Sequence, residues 1–424
     1  MNKTEYPRIG ETVYDTVLPN GLPIYVVKKP GYRKKFAMFA TNYGGVDRRF
    51  TLGGKTIDTP AGVAHYLEHK MFDTPDGDAL MMLNATGASP NAFTSENMTA
   101  YHFECTECFE ENLRILLSFV SVPYFTEQSV AKEQGIIGQE IRMTEDNPDH
   151  AIYTNLMKCL YAEGPLRDSV AGTVESIAEI TPEILYNCHK VFYHPSNMVL
   201  VVVGDVDPDM IERTTAEVLP PEPAEVPGRD YGMDDDIAPA SPRFETHMEV
   251  SAPQFYIGMK LGRMPRGPES TRARLCNTLA LRCLCGSSSP FYLRLYDKGL
   301  LNSTFGCSID YAADRGLASF GGESPDPDAV MAELSAEIQR IKENGFDPDF
   351  FERQRRAAYG GRLRALSSFE GLCVSFADAQ FAGYRLLDVF EVAETIRRED
   401  VEQWLREHLF PEHFAISIIL PKEN

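Results

Sequence analysis

The alternation of apolar and polar positions divides the chain into short strands and longer amphipathic helices, in a similar order in each half. Apolar β-branched and aromatic runs of strand length predict strands, and apolar residues at helical spacing predict helices. In the first half the predicted strands are 36–41, 92–95, 99–104 and 198–203, and the predicted helices are 61–72, 110–121, 129–144 and 182–192. In the second half the predicted strands are 246–260, 303–309, 318–322 and 414–420, and the predicted helices are 272–285, 327–344, 350–369 and 398–409. Strands and helices segregated in this way indicate an α+β fold, with helices packed on one face of an antiparallel-dominated sheet.

An internal repeat relates the two halves. The segment that begins at Ile180 recurs at Ile396, at an offset of 396 − 180 = 216 residues. Each copy has a predicted helix, then a proline (Pro195 or Pro411), then an apolar β-branched strand. The chain is therefore predicted to contain two homologous domains.

The stretch 219–242 separates the two copies and is rich in proline and acidic residues. Proline removes backbone donors, and a high density of carboxylates opposes a packed core, so this stretch is predicted to be a linker. We place the boundary near residue 230, which gives domains 1–229 and 230–424. A length of 424 residues is sufficient for two domains that each bury a substantial core.

Composition narrows the classes of partner. With 43% hydrophobic and 24% charged residues, the chain has the composition of a globular protein. The net charge of 41 − 62 = −21 argues against nucleic acid and against an anionic membrane as partners. The longest apolar runs are too short to cross a bilayer, and the N-terminus lacks a basic and apolar signal region. Nine cysteines without an even spacing fit a reducing compartment, so a cytoplasmic protein is expected.

The stretch His65-Tyr66-Leu67-Glu68-His69 carries the clearest chemical signal. On a helix, histidines four residues apart lie one above the other on one face, and the glutamate lies beside them. Two neutral imidazoles and a carboxylate are the groups that a catalytic Zn²⁺ site uses, and this order is the inverted His-x-x-Glu-His signature. The alternative is a surface helix with two solvent-exposed histidines. The apolar neighbours in 62–72 argue against that alternative, because they indicate a mostly buried helix.

A third zinc ligand is predicted from the helix 129–144. Glu133 and Glu140 are seven residues apart, so both share one stripe of this helix with apolar residues and point towards the core. Glu140 would complete a set of two histidines and one glutamate, and Glu133 would hold a hydrogen bond that orients a ligand. The alternative is a buried ion pair with an arginine such as Arg142 or Arg114.

With these motifs the chain resembles the insulinase, pitrilysin and mitochondrial processing peptidase family of zinc metallopeptidases. The resemblance is specific in the first half and only architectural in the second. It is carried by 62–72, the pair Glu133 and Glu140, Ser89 to Ser95, Gly172 to Ile177, and Phe192 to Asn197 followed by the strand Met198 to Val203.

The resemblance implies the roles of individual residues and a LuxS/MPP-like metalloprotease fold. It makes His65, His69 and Glu140 the ligands of Zn²⁺, Glu68 the general base, and Glu133 the carboxylate that orients a ligand. It also implies that an extended peptide substrate adds as a strand beside an edge of the sheet. The substrate-binding residues implied are Asn91, Ala92, Phe93 and Thr94. From the residues alone, 91–95 is a plain edge strand after a turn.

The second half carries no copy of the metal motif. The repeat offset of 216 places Leu281, Leu284 and Cys285 at the motif positions. The C-terminal domain is therefore expected to be an inactive homologue of the catalytic N-terminal domain.

One departure from the family concerns the substrate carbonyl. Active members carry an arginine and a tyrosine in a second-half segment that grips this carbonyl. Here Asn302 stands at the tyrosine position, and no arginine stands at the required place. The resemblance therefore implies a heterodimer with a related subunit that lacks the zinc motif but supplies this pair. The other possibility is a homodimer in which a tyrosine substitutes, the candidates being Tyr292, Tyr296 and Tyr311.

The expected function is that of a zinc-dependent endopeptidase acting on extended or short peptides inside a closed chamber. Two other classes are considered. A non-catalytic core or scaffold subunit of a processing complex would not need the intact ligands and base, and a zinc sensor or storage protein would not need Glu68.

Overall fold

The chain forms two compact units, each built from several segments of the sequence. The computed structural model describes residues 1–232 and 236–422. The first unit comprises Met1–Ile141, Ser169–Gly232 and Leu363–Phe381, and the second comprises Arg142–Asp168 with the described residues of Met233–Arg362 and Ala382–Asn424. The boundary predicted near residue 230 lies close to the end of the segment Ser169–Gly232. Two shorter segments, 142–168 and 363–381, belong to the unit that is built mainly from the other half.

The strands are short and occur in both halves. Their bounds are β1 (Asn2–Tyr6), β2 (Glu11–Val17), β3 (Pro23–Lys28), β4 (Lys35–Thr41), β5 (Arg49–Leu52), β6 (Lys55–Asp58), β7 (Asp73–Thr74), β8 (Gly77–Asp78), β9 (Ser89–Thr94), β10 (Thr99–Cys105), β11 (Met198–Gly204), β12 (Gly228–Arg229), β13 (Arg243–Met248), β14 (Gln254–Arg263), β15 (Gly306–Ala312), β16 (Arg315–Glu323) and β17 (Ala415–Pro421).

The helices range from a single turn to five turns. Their bounds are α1 (Val63–Lys70), α2 (Ala79–Ala85), α3 (Phe109–Ser121), α4 (Glu127–Glu145), α5 (Pro148–Leu160), α6 (Val174–Ile177), α7 (Pro182–Phe192), α8 (Pro208–Val218), α9 (Pro268–Cys285), α10 (Pro290–Asp297), α11 (Pro327–Asn344), α12 (Pro348–Ala365), α13 (Phe369–Ala382), α14 (Val389–Thr395) and α15 (Arg398–His408). None of the helices in the described part of the chain is long and apolar enough to span a bilayer.

The main sheet of each unit confirms the α+β prediction and the repeat. The first unit has the strand order β1-β2-β3-β11-β4-β10-β9, and the second has β13-β17-β14-β16-β15. One pair is parallel in each sheet, β3 with β11 and β13 with β17, and the other pairs are antiparallel. The repeated helix and strand of the sequence are α7 and β11 in the first copy and α15 and β17 in the second. β9 and β15 are the corresponding edge strands.

Both faces of each sheet are covered, because each unit includes one helix from the other half. In the first unit Leu200 and Val202 of β11 face the helical layer, whereas the carbonyl of Val201 accepts a hydrogen bond from the thiol of Cys373 in α13. In the second unit α5 packs on β13, β14 and β17. The predicted layer of helices on one face is therefore joined by a single helix on the other, which explains why β11 is buried along its whole length.

Two predicted elements are divided in the structure, and the helix α5 was not predicted. The predicted strand 246–260 is two strands, β13 and β14, because Pro253 has no backbone N–H to continue a ladder. The predicted helix 350–369 ends at Ala365, and α13 begins at Phe369. α5 was missed, because its apolar face packs on strands that lie far along the chain, β13, β14 and β17.

The predicted linker is partly structured. β12 pairs with β5, and Arg229 forms an ion pair of 2.9 Å with the buried carboxylate of Asp47. The Arg229 guanidinium also donates to the Asn42 carbonyl oxygen and to Asn197. These contacts fix residues 228 and 229 against the first unit, and residues 233–235 of the predicted linker lie outside the described part of the chain.

Candidate metal centre

Two glycines fix the start of α1. Each lies close to the backbone of the residue that precedes the other glycine. Gly62 precedes the helix with a φ of 94°, and a Cβ atom there would lie 2.6 Å from the carbonyl oxygen of Ala171. Gly172 has a φ of 75°, and its Cβ would lie 2.6 Å from the carbonyl oxygen of Ala61. Only glycine tolerates both the positive φ and this close approach. The two glycines therefore set the position from which the histidine-bearing helix begins.

α1 and α4 are held side by side by the residues between the histidines. Tyr66 and Leu67 are fully buried, and the Tyr66 hydroxyl donates a hydrogen bond to the carbonyl oxygen of Val130 near the start of α4. The rings of His65 and His69 lie next to each other, with centroids 4.7 Å apart. The apolar side of α1 therefore packs into the core while its two imidazoles face α4.

Glu140 of α4 lies between the two imidazoles. Its Oε1 is 3.6 Å from Nε2 of His65, and its Oε2 is 3.4 Å from Nε2 of His69. One ligand atom from each of these three residues can be chosen so that all lie within 4.8 Å of one another. The structure therefore brings together the three residues that the sequence predicted as metal ligands.

The geometry and chemistry of this donor set fit Zn²⁺. Zinc binds imidazole nitrogen and carboxylate oxygen at about 2.0–2.2 Å, so two ligand atoms of a tetrahedral ion lie about 3.4 Å apart. The separations of 3.4 and 3.6 Å, each to a different oxygen of Glu140, are close to that spacing. Three protein ligands leave a fourth position of a tetrahedral ion open, which is the arrangement of catalytic rather than structural zinc sites.

Glu133 lies seven residues before Glu140, about two helical turns, and contacts Nδ1 of the predicted ligand His69. Its Oε1 is 3.1 Å from Nδ1 of His69. A carboxylate at this place accepts a hydrogen bond from the Nδ1 N–H. The proton therefore stays on Nδ1, and Nε2 is the nitrogen with a free lone pair. The Nδ1 atom of His65 is buried and has no hydrogen-bond partner within residues 1–232 and 236–422. The predicted role of Glu133 thus corresponds to its position.

Glu68, the predicted base, is fixed by a hydrogen bond from the edge strand. The Thr94 hydroxyl donates to its Oε2 at 2.6 Å, and the hydroxyls of Thr94 and Thr99 are 3.3 Å apart. Thr94 was predicted to bind substrate, but its contact with Glu68 was not anticipated. The signal available in the sequence was a polar residue at a position of β9 that faces the helical layer.

Burial and neighbouring charges shift the pKa values of this group of side chains. Burial, assisted by the positive charge of His69, lowers the pKa of His65 to about 4, which favours the neutral imidazole that a metal binds. Burial also raises the pKa of Glu68, and Glu140 adds to this effect, while Thr94 and His69 oppose it. The hydrogen bond with His69 lowers the pKa of Glu133. For His69 burial acts to lower the pKa, but the hydrogen bond with Glu133 and the surrounding carboxylates together raise it.

The other predicted substrate-binding residues lie along the edge strand β9. β9 pairs only with β10 in the described sheet, so its outer edge is available to another strand. Ala92 and Thr94 face the helical layer, whereas Asn91 and Phe93 alternate to the opposite face. The Asn91 side chain accepts a hydrogen bond from the backbone N–H of Ala92. The strand therefore presents its backbone edge beside Glu68, and the Asn91 side chain belongs to the other face.

The alternative of a buried ion pair with arginine is not supported. Arg114 pairs with Glu110 and Glu217, at 3.1 and 2.7 Å, and not with either predicted glutamate. Arg142 is exposed.

The tyrosines considered for a homodimer lie in the second unit. Tyr292 donates from its hydroxyl to the carbonyl oxygen of Asn302, and the Asn302 amide donates to Glu323. Tyr296 is half exposed, and Tyr311 accepts a hydrogen bond from Asn277. Asn302, at the position of the family tyrosine, is thus engaged within its own unit.

The repeated α+β units and the inverted His-x-x-Glu-His centre define the class of M16-type metallopeptidase folds. Residues 53–174 match the family described as Insulinase (Peptidase family M16), and residues 179–358 match the Peptidase M16 inactive domain. The chain belongs to peptidase family M16. The second match agrees with the absence of a metal motif in the second half.

Individual relatives cover nearly the whole chain. The uncharacterized zinc protease YmfH of Bacillus subtilis is 39% identical over 99% of both chains. A crystal structure of a protein described as an M16-like peptidase, from Alicyclobacillus acidocaldarius, is 34% identical, covers 99% of this chain and 100% of its own, and has a TM-score of 0.93. A protease from Helicobacter pylori has a TM-score of 0.82 at 19% identity, covers 96% of this chain and 99% of its own, and shows the fold alone.

Proposed function

We propose that this chain is a zinc-dependent endopeptidase that hydrolyses extended or short peptides. The observation that carries this proposal is the convergence of His65, His69 and Glu140 with Glu68 beside them. The names of its relatives, which describe zinc proteases, support the proposal.

The residues of the chain would divide the chemistry between them. When bound by His65, His69 and Glu140, Zn²⁺ would supply a Lewis acid that polarises a peptide carbonyl and acidifies water. Glu68 would take the proton from the attacking water and pass it to the leaving amine, as a general base and then a general acid. Without a bound ion, burial raises the pKa of Glu68, which makes its carboxylate a stronger base towards water.

Two neighbours would position these groups. Thr94 holds one oxygen of Glu68, so the other oxygen is the one left to accept a proton from water. The backbone edge of β9 would hold the peptide as an added strand, so that main-chain hydrogen bonds bring the scissile bond beside Glu68.

Asn302 stands where active family members have a tyrosine, and this difference supports a partner subunit that supplies the missing residues. We propose that a related subunit, without the metal motif, supplies the arginine and tyrosine that grip the substrate carbonyl. Stabilisation of the oxyanion contributes about 3 kcal/mol to such reactions, so the chain alone would retain zinc and have weak activity. Coexpression with a relative that has this pair is expected to give a one-to-one complex with much higher activity. A homodimer that is fully active on its own would refute the heterodimer.

The function is tested by comparing wild type with Glu68→Gln for zinc content and peptide cleavage. The peptidase assignment predicts stoichiometric zinc in both and cleavage only by the wild type. Glu127→Gln, an exposed glutamate at the start of α4, is the matched control and is expected to retain both properties. Zinc binding without cleavage in wild type, also with the partner present, would favour the non-catalytic scaffold. Absence of stoichiometric zinc would refute the metal centre.

A further inference from the structure

The second unit holds two arginines that have no acidic partner. Arg282 lies in α9 and Arg362 in α12, and both side chains are partly buried. The Nε atom of Arg282 is buried without a hydrogen-bond partner, and no residue among 1–232 and 236–422 forms an ion pair or side-chain hydrogen bond with either guanidinium. Several other arginines of this unit are paired, as Arg294 is with Glu337. Two uncompensated guanidiniums are notable in a chain with 62 acidic and 41 basic residues.

These two charges lie close enough to repel each other. Burial lowers the pKa of Arg362, and the positive charge of Arg282 lowers it further, whereas Tyr384 and Tyr311 act in the opposite direction. Arginine remains protonated in proteins, so the repulsion is not relieved by loss of a proton. A partly buried pair of cations of this kind is stabilised by an anion.

Aromatic and amide groups lie beside Arg274, which is on the same helix as Arg282. The Arg274 guanidinium lies 4.0 Å from the centre of the Tyr311 ring and 5.5 Å from that of Tyr384. Asn277 is fully buried, and its amide donates to the Tyr311 hydroxyl at 2.9 Å. The Asn277 Oδ1 atom has no hydrogen-bond partner within the described residues. Tyr311 and Tyr384 also act on Arg362, so these polar groups belong to its surroundings without adding a carboxylate.

The repeat relates this place to the metal centre. α9 ends where α1 would lie in the second copy, and β15 is an edge strand like β9. The offset of 216 places Leu281 at the position of His65, and Arg282 follows it directly. Near the place where the first unit has metal ligands, the second unit therefore has positive charge.

We propose that Arg282 and Arg362 bind an oxyanion in the second unit, and that this oxyanion is a carboxylate group of a peptide. Guanidinium groups suit a carboxylate, because their N–H groups donate two parallel hydrogen bonds to its two oxygens. The proposal deepens the proposed function, on which the choice of a peptide as the ligand rests. A free inorganic anion such as phosphate has related chemistry and is distinguished by the experiment.

The experiment measures binding, so that it does not depend on cleavage. Two fluorescently labelled Ala/Leu peptides, identical except for a C-terminal carboxylate or carboxamide, are titrated into the zinc-loaded Glu68→Gln protein, alone and with its partner subunit. The same titrations are made with Arg282→Gln, Arg362→Gln and the control Arg364→Gln in that background. Arg364 is an exposed arginine two residues further along the chain. The thermal midpoint of each variant is measured with and without inorganic phosphate.

We expect the carboxylate peptide to bind at least about tenfold more tightly than the carboxamide. This ratio should fall towards one in both glutamine variants and persist in Arg364→Gln. The glutamine variants should be at least as stable as the parent, because they remove a charge without a partner. Arg282→Lys and Arg362→Lys provide the same comparison if a glutamine variant does not fold, because lysine keeps the charge but loses the paired hydrogen bonds, and the ratio should again fall.

A ratio of one in the parent, or a ratio kept in both arginine variants, would overturn the proposal. Stabilisation by phosphate without any preference for the carboxylate peptide would assign the site to free anions and overturn the peptide assignment. Cleavage by wild type is measured separately. A carboxylate preference without cleavage would refute the proposed function alone, and cleavage without the preference would refute the anion site alone.

Discussion

Glu133 is predicted to control zinc affinity without touching the metal. Its carboxylate lies 3.1 Å from Nδ1 of His69, where it accepts a hydrogen bond from the Nδ1 N–H; this contact fixes both the tautomer and the ring orientation that present Nε2 to the ion. In Glu133→Gln the side chain keeps its shape, but it loses the negative charge that makes the imidazole a stronger donor. The three residues predicted to hold the ion are left intact by this change.

The expected loss follows from the strength of that contact. Replacing a hydrogen-bonded carboxylate behind a histidine ligand weakens metal affinity by about 10- to 100-fold, which corresponds to about 1.4–2.7 kcal/mol. Glu133 is only partly exposed, so solvent screens the interaction less than at the surface. We therefore expect a value nearer the upper end of this range.

The affinity is measured by competition with a chromophoric chelator at fixed pH, using metal-free protein. Glu127→Gln, on the same helix but exposed, makes the same change of charge and should not alter the affinity. Glu140→Gln removes a predicted ligand and should weaken zinc binding much further. The reasoning would be refuted if Glu133→Gln matched the Glu127→Gln control, or if Glu140→Gln bound zinc as tightly as wild type.

Three further predictions concern stability. Arg229→Ala removes the 2.9 Å ion pair with the Asp47 carboxylate, which is only 2% exposed, and should cost about 3–5 kcal/mol in urea unfolding; a loss below about 1 kcal/mol would contradict this. Gly62→Ala combines a φ of 94° with a carbonyl oxygen 2.6 Å from the new Cβ and should cost about 2–4 kcal/mol, whereas Gly53→Ala, with positive φ but open space, should cost about 1 kcal/mol; equal losses in calorimetry would disprove the contact argument. Burial lowers the pKa of His189 from 6.5 to about 4, so the unfolded state binds the proton more readily and stability is lost as pH falls through this window. Between about pH 7 and about pH 5 the loss due to this residue is about 2 kcal/mol, and His189→Gln should show a correspondingly smaller decline in its urea midpoint.

Local patterns in the chain predicted about half of the helices and strands that the structure describes, including α1, α4 and β9. The helical spacing of His65 and His69, the seven-residue spacing of Glu133 and Glu140, and the repeat that starts at Ile180 all depend on regular backbone periods. A helix or strand places side chains at fixed intervals, so such patterns can be recognised without coordinates. The predicted parts of the centre came from two helices of this kind.

Contacts between segments that are distant in the sequence could not be predicted from these local patterns. Nothing in the local sequence of 148–160 or 369–382 shows that each helix covers the sheet of the unit built mainly from the other half. The hydrogen bond from Thr94 to Glu68, and the ion pair that fixes Arg229 of the predicted linker, were missed for the same reason.

The sequence by itself determined which side chains could bind a metal ion, that only one of the two copies carries them, and the α+β class of both. Only the tertiary structure decided that Glu140 stands 3.4 and 3.6 Å from the two imidazoles, and that the Nε atom of Arg282 is buried without a hydrogen-bond partner among the described residues. The physical reason is that periodicity fixes where a side chain points on its own helix, whereas a distance between two helices depends on how their buried faces pack.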